Sequence, residues 1–223
     1  MKHCSILLLL LVLSVCGVQA QTPEVFREKG YTLNFINQDP SFDPAVKARL
    51  IKTFFEVYPV LVDQYNKASI KEVTFFVDTT YKAVAEAGGG RVRFSPGWFK
   101  AHPGDIDVVT HEVMHLVQSY PHRAGPGWLT EGIADYVRYA YGVDNQGAGW
   151  SLPAYAASQH YTNAYRVTAR FLLWLEKDVK PGLVKTLDNA MRTNAYTDGI
   201  WSKQTGKSLD DLWQAYAAQA AKG

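Results

Sequence analysis

Apolar and polar residues alternate over Tyr31–Asn37, so the sequence predicts a half-buried strand there. Asp43-Pro44 follows, an N-cap side chain ahead of a proline at the first helical position. Leu50, Ile51, Phe54, Phe55, Tyr58, Leu61, Val62 and Tyr65 then recur at helical spacing, and Pro59 is expected to kink or divide that helix. Lys71–Asp78 is nearly all apolar or β-branched, the composition of a central strand. Tyr81–Phe94 predicts one or two strands around Gly88-Gly89-Gly90, with Arg91–Phe94 alternating as an edge strand would. A sheet edge of this kind can bind an extended peptide, though a plain hairpin turn explains the glycines equally well.

Beyond Pro103-Gly104-Asp105 the period becomes helical and stays so to the C-terminus. Asp105–Ser119 carries Ile106, Val109, Val113, Leu116 and Val117 on its core side. Pro121–Gly127 is a polar, Pro/Gly-rich loop, and Trp128–Tyr141 is a helix stopped by Gly142. Tyr161–Val179 predicts a third helix ended by Lys180-Pro181-Gly182, followed by two or three shorter ones, the last capped by Ser208. Strands first and helices afterwards imply an α+β fold, with a small N-terminal mixed sheet and a mainly helical C-terminal half.

The first twenty residues stand apart from this pattern. Lys2 and His3 precede an unbroken apolar run, Ile6–Leu13, and Val18-Gln19-Ala20 offers small residues at the spacing a signal peptidase reads. The sequence therefore predicts a cleaved signal peptide over 1–20 and a secreted or periplasmic protein. The run is shorter than the roughly 20 residues of a membrane span. Leu13-Ser14-Val15-Cys16 is the rival lipoprotein reading, and Val15 stands where a small residue would be expected. Both cysteines, Cys4 and Cys16, fall inside the leader, so the exported chain has neither a disulfide nor a thiolate ligand.

Of 23 basic side chains one, Lys2, lies in the leader, which leaves the remainder close to balance with 21 acidic ones. No basic field suggests nucleic acid, and no charge run suggests a membrane once the leader is gone. Oligomeric state is left open, with a monomer as the simplest expectation.

The chemistry concentrates in His111-Glu112-Val113-Met114-His115. Side chains at i and i+4 of a helix project together, so both imidazoles can reach one metal ion, and Glu112 lands where it can take a proton from water on that ion. A catalytic zinc site needs a third protein ligand and leaves one position for water. His102, His122 and His160 are the further imidazoles after the leader, and none has a helical partner that singles it out. Glu131 and Asp135, four apart on the following helix, are better placed. Glu131 can ligate while Asp135 accepts the far N–H of a ligand histidine; Asp135 or His160 are the alternative ligands.

This H-E-x-x-H followed by E-x-x-x-D resembles the gluzincin metallopeptidases, with a somewhat shorter spacing. The likeness narrows further along the chain. Residues 131–138 (E-G-I-A-D-Y-V-R), 165–172 (Y-R-V-T-A-R-F-L) and 206–213 (G-K-S-L-D-D-L-W) resemble blocks of the plant basic secretory protein family and its bacterial relatives. The resemblance implies a single zincin domain over 21–223 and a Zn2+ cofactor. It also implies a peptide or protein substrate, cleaved by activated water with Glu112 as general base. The donor expected to stabilise the oxyanion is Tyr165, which opens an apolar helix within the second block, with Tyr161 and His160 as alternatives. Two other classes stay open at this point: a non-catalytic, zinc-containing secreted binding or defence-type protein, and a zinc hydrolase acting on a non-peptide amide.

Overall fold

The computed structural model describes residues 22–221; the signal peptide expected over 1–20, with both cysteines, lies outside the described residues. Five strands form one mixed sheet in the order β1-β2-β3-β5-β4. They are β1 (Glu24–Glu28), β2 (Tyr31–Asn37), β3 (Glu72–Val77), β4 (Ala85–Gly88) and β5 (Arg91–Phe94). The inner strands β2, β3 and β5 run parallel, and the outer strands β1 and β4 are antiparallel to their neighbours. Helices follow from α2 (Pro96–Ala101) through α3 (Val108–Gln118), α4 (Gly127–Tyr141) and α5 (Tyr165–Trp174). Three more, α6 (Leu183–Arg192), α7 (Ile200–Thr205) and α8 (Leu209–Ala220), close the chain, α8 being capped by Ser208 and Asp211 reciprocally. The α+β architecture thus has the small mixed sheet first and the helical half second. Among the described residues, no helix is long and apolar enough to cross a membrane.

Four details depart from the sequence pattern, each for a physical reason. First, α1 (Pro44–Tyr65) runs through Pro59 undivided. A proline removes the hydrogen bond to the carbonyl four residues back, here that of Phe55. Lys29, on the β1–β2 turn, donates its ammonium to that carbonyl at 2.9 Å and replaces the lost partner. Second, Arg91–Phe94 is an interior strand: Val92 and Phe94 are fully buried, and β4 occupies the edge. Alternation reports that one face is buried; it does not report whether both neighbours are paired. Gly89 and Gly90, with φ of 56° and 78°, make the two-residue hairpin loop between β4 and β5.

Third, β1 escapes the periodic signal because Glu24, Arg27 and Glu28 give it no apolar face; it adds to β2 through the Lys29-Gly30 turn. Fourth, the predicted Tyr161–Val179 helix is broken. A single 3-10 turn (Tyr161–Asn163) ends where Asn163 folds back to accept from the His160 N–H at 2.7 Å. Ala164 then adopts φ 63°, ψ −174° and Tyr165 φ 47°, and the helix restarts; its last turn, Leu175–Val179, is wound as a π-helix. Left-handed backbone at two consecutive non-glycine residues stores strain on the order of 1–3 kcal/mol each.

One apolar cluster runs from the sheet through α1 and α3 to α8. Its aromatic centre is Phe54, which stacks on Tyr58 and meets Phe75 edge-on. Helix α3 lies inside this cluster, with Val109, Val113, Met114 and Val117 fully buried, so packing rather than propensity holds its valines helical. Ser119, left-handed at φ 43°, ends it, and Asn66 donates to the otherwise orphaned Val117 carbonyl at 2.9 Å.

Helices α4 and α5 approach closely at Gly132, where an added Cβ would lie 2.2 Å from Thr168 Cγ2. Gly132→Ala gains up to about 1 kcal/mol of helix propensity but overpacks this contact by roughly 1–3 kcal/mol. The expected outcome is a net destabilisation, read as a lower urea midpoint with an unchanged slope. Because α4 carries Glu131 and α5 carries Tyr165, this contact also sets the width of the cleft described next.

Candidate metal centre and active-site cleft

Two pairings show that α3 and α4 run antiparallel, Gln118 with Thr130 and His111 with Asp135, and Asp105 in the loop before α3 continues the series to Arg138. Beside them lies the edge strand β4, and the start of α5 closes the far side. The cleft between these elements encloses about 980 Å³, and His111, Glu112, His115, Glu131, Asp135 and Tyr165 all line it.

Metal-ligating atoms of His111, His115 and Glu131 converge within 4.8 Å of one another, as a group that could hold a metal ion. The two imidazole Nε2 atoms are 3.2 Å apart, and Glu131 Oε2 is 3.3 Å from one and 3.4 Å from the other. Ligand bonds of about 2.0–2.1 Å in a tetrahedron place donor atoms roughly 3.3–3.4 Å apart, so the triangle matches what one such ion requires.

The far side of each ring fixes its proton. Asp135 Oδ1 lies 2.7 Å from His111 Nδ1, and a carboxylate can only accept, so Nδ1 carries hydrogen and Nε2 presents a lone pair. Gln118 does the same for His115. Its amide nitrogen donates to the Thr130 carbonyl at 3.0 Å, which turns its oxygen toward His115 Nδ1 at 2.7 Å. With both rings neutral, two lone pairs and a carboxylate face one another across about 3 Å, an arrangement relieved by a metal ion or, without one, by a proton on His111. The electrostatics agree. Burial alone would depress His111, but its hydrogen bonds to Asp135 and Glu131 and the charge of Glu112 push its pKa up to about 10. Burial would likewise raise Glu131, yet hydrogen bonds from His111 and His115 hold it down to about 2.

Glu112 sits beside this group and makes none of these bonds. Its burial pushes its pKa up, against the pull of the two histidines, with Glu131 and Glu86 adding to the rise. Tyr165 lies face to face with His111, ring centroids 6.2 Å apart, and remains half exposed. The charge on Glu131, then burial, Asp135 and Glu112, raise its hydroxyl pKa and keep it a donor.

Among residues weighed from the sequence, Tyr161 and His160 belong elsewhere. Tyr161 donates to Asp210 at 2.7 Å, and both pack into the aromatic cluster around Trp213. His102 lines the cleft but stacks on Trp98. Gln118 was not singled out by the sequence reading, although its position three residues after His115 on the same helix was an available signal. The strand edge facing the cleft is Ala83–Ala87 rather than the glycines.

The chain is similar to known proteins in fold and in family. A variant of a two-domain M1 zinc metallopeptidase, solved with L-tryptophan bound, matches 88% of this chain and 51% of its own, with a TM-score of 0.53 and 13% identity. The chain thus spans about half the length of that neighbour, and at this identity the likeness is one of fold. No curated protein matches at a significant level. The family model described as "Peptidase of plants and bacteria" matches residues 35–216, from the end of β2 through the cleft and into α8. The chain therefore belongs to the basic secretory protein family, the peptidases of plants and bacteria.

Proposed function

We propose that this protein is an exported zinc metallopeptidase that hydrolyses peptide bonds in peptide or protein substrates. The observation that carries the reading is the triangle of His111 Nε2, His115 Nε2 and Glu131 Oε2, spaced 3.2–3.4 Å with both rings locked in the metal-binding tautomer. Two imidazoles and one carboxylate are a donor set typical of catalytic zinc, with the fourth position left for water or substrate. Zinc, when bound, lowers the pKa of water to roughly 7 and polarises the scissile carbonyl. Asp135 and Gln118 hold the rings in place. Glu112 takes a proton from the attacking water and returns it to the leaving amine, and burial suits its carboxyl to carry that proton between the two steps. The Tyr165 hydroxyl donates to the oxyanion that develops as water attacks. The free edge of β4 offers backbone groups to an extended substrate. The leader over 1–20 would place this activity outside the cytoplasm.

Metal analysis combined with a mixed peptide library tests the proposal. Stoichiometric zinc with no cleavage of any peptide would leave the metal site and remove the peptidase reading; no zinc at all would remove both.

Gln118 gives a more local test. Gln118→Leu keeps the side-chain volume but frees His115 Nδ1 and leaves the Thr130 carbonyl without its donor. Partners of this kind are worth 10–100-fold in metal affinity. Zinc affinity, measured by competition with a chromogenic chelator, is expected to fall by about that factor while the helical circular dichroism is retained.

A further inference from the structure

Asp105 and Arg138 form a buried ion pair at one end of the cleft, and the reaction above uses neither of them. A buried pair overcomes its desolvation only when its remaining polar atoms are also matched. Here those atoms are committed to two tryptophans and the loop that holds one of them. Asp105 Oδ1 accepts from Arg138 Nη2 at 2.5 Å, and Oδ2 accepts from Trp98 Nε1–H at 3.0 Å. Arg138 donates Nε–H to Asn145 at 3.0 Å, and its guanidinium lies 4.4 Å from the ring centroid of Trp150.

The loop carrying Trp150 is tied down as well. Asp107 accepts from the backbone N–H groups of Val143 and Asp144 at 2.8 and 2.6 Å. Asn145 returns a bond to the Arg138 carbonyl at 2.8 Å, and the backbone N–H of Trp150 donates to the Asn145 carbonyl at 2.9 Å. Trp98 in turn carries the stacked ring of His102. Both indoles remain only partly buried and line the cleft.

We propose that Trp98 and Trp150 form a preorganised subsite for an aromatic substrate side chain beside the scissile bond. The proposal rests on the peptidase reading and names its preferred substrate class. Three points favour an aromatic occupant. The wall begins one helical turn beyond Asp135, next to His111, so a residue adjoining the reacting carbonyl reaches it. Trp98 is held by its bond to Asp105 and Trp150 by Arg138, and both line the cleft, so an aromatic ring that packs against them costs little ordering entropy on binding. Arg138, the cation within the wall, is already neutralised by Asp105 and covered by Trp150, so it offers an acidic side chain no free partner; the cleft's other arginine, Arg166, reaches toward the Ser151 carbonyl at the rim.

Trp150 also packs against Leu152, Ala169 and Leu173, so the test substitutes leucine to preserve apolar filling. Zinc-loaded wild type, Trp150→Leu and Trp98→Leu are each assayed on capped peptides varied on both sides of the cleavage point. Circular dichroism and metal content confirm that each variant is folded and loaded. In the wild type, Phe, Tyr or Trp is expected to exceed Ala in kcat/KM by roughly 10–100-fold at one position. That ratio is expected to fall about tenfold in either variant. A parallel titration of zinc-loaded Glu112→Gln with N-acetyl-phenylalaninamide and N-acetyl-alaninamide, followed by NMR, reads the subsite without turnover. Cleavage with no aromatic preference, or with a preference both variants keep, overturns the subsite and leaves the peptidase reading standing. Tryptophan-dependent aromatic binding with no cleavage of any peptide supports the subsite and overturns the peptidase reading. Neither cleavage nor binding overturns both.

Discussion

Glu112→Gln is expected to retain zinc at wild-type stoichiometry and to lose roughly 10²–10⁴ of kcat, the contribution typical of a positioned general base. The substitution is nearly isosteric and touches no ligand bond, because the metal-facing atoms belong to His111, His115 and Glu131. What it removes is the ability to take up a proton. Glu112 lies in the cleft against both histidines, and burial has already weakened its acidity, so it can accept a proton from water and surrender it to an amine. Steady-state kinetics on a cleaved peptide, alongside metal analysis, separate the cases. A large fall in kcat with KM little changed is the signature of a group acting in the transition state. A variant as active as the wild type would show that another group handles the proton. A variant that lost its zinc would assign Glu112 to holding the site together.

The parts of the molecule legible in its sequence are those whose signal is local. H-E-x-x-H and E-x-x-x-D each lie on one helix, where spacing alone decides which side chains share a face. The buried strands β2 and β3 and the long α1 announce themselves through apolar periodicity in the same way. Features that depend on a partner distant in the chain were not legible. Pro59 is harmless because Lys29, thirty residues earlier, supplies its missing hydrogen bond. Strand β1 exists because β2 offers it a free edge. Arg91–Phe94 is interior because β4 pairs on its far side. The break before α5 is a local capping event, but period counting averages over it.

The same division holds in the cleft. Of the six residues weighed from the motifs that line it, five lie on α3 and α4, which are joined by one short loop, and Tyr165 joins them from the start of α5. The Trp98–Asp105–Arg138–Trp150 wall joins α2, the loop before α3, the end of α4 and the loop after it. No spacing rule covers four elements, and a tryptophan in a sequence is far more often core than cleft. Gln118 lies between these cases: its spacing was readable, but its meaning depends on the Thr130 carbonyl, which only the packed α4 supplies.

Removing the metal is expected to cost the protein stability as well as activity. An ion bound only by the folded state stabilises it by about 4 kcal/mol when present at 1,000 times its dissociation constant. For a domain of this size each kcal/mol is worth roughly 2–4 °C in melting temperature. Dialysis against a chelator should therefore lower the melting temperature by on the order of 10 °C, and stoichiometric zinc should restore it. The metal-free state is left with lone pairs and a carboxylate in close opposition, or with a proton on His111 in their place. Glu131→Gln removes the anionic ligand while leaving Asp135 on His111 and Gln118 on His115, so both rings stay oriented. This variant should melt near the metal-free wild type and respond to neither chelator nor zinc. A full zinc response in Glu131→Gln would move the third ligand elsewhere, Asp135 being the nearest carboxylate to His111. A wild-type melting temperature indifferent to chelation would show that the His111–His115–Glu131 triangle holds no ion, and the hydrolytic mechanism built on it would fall with it.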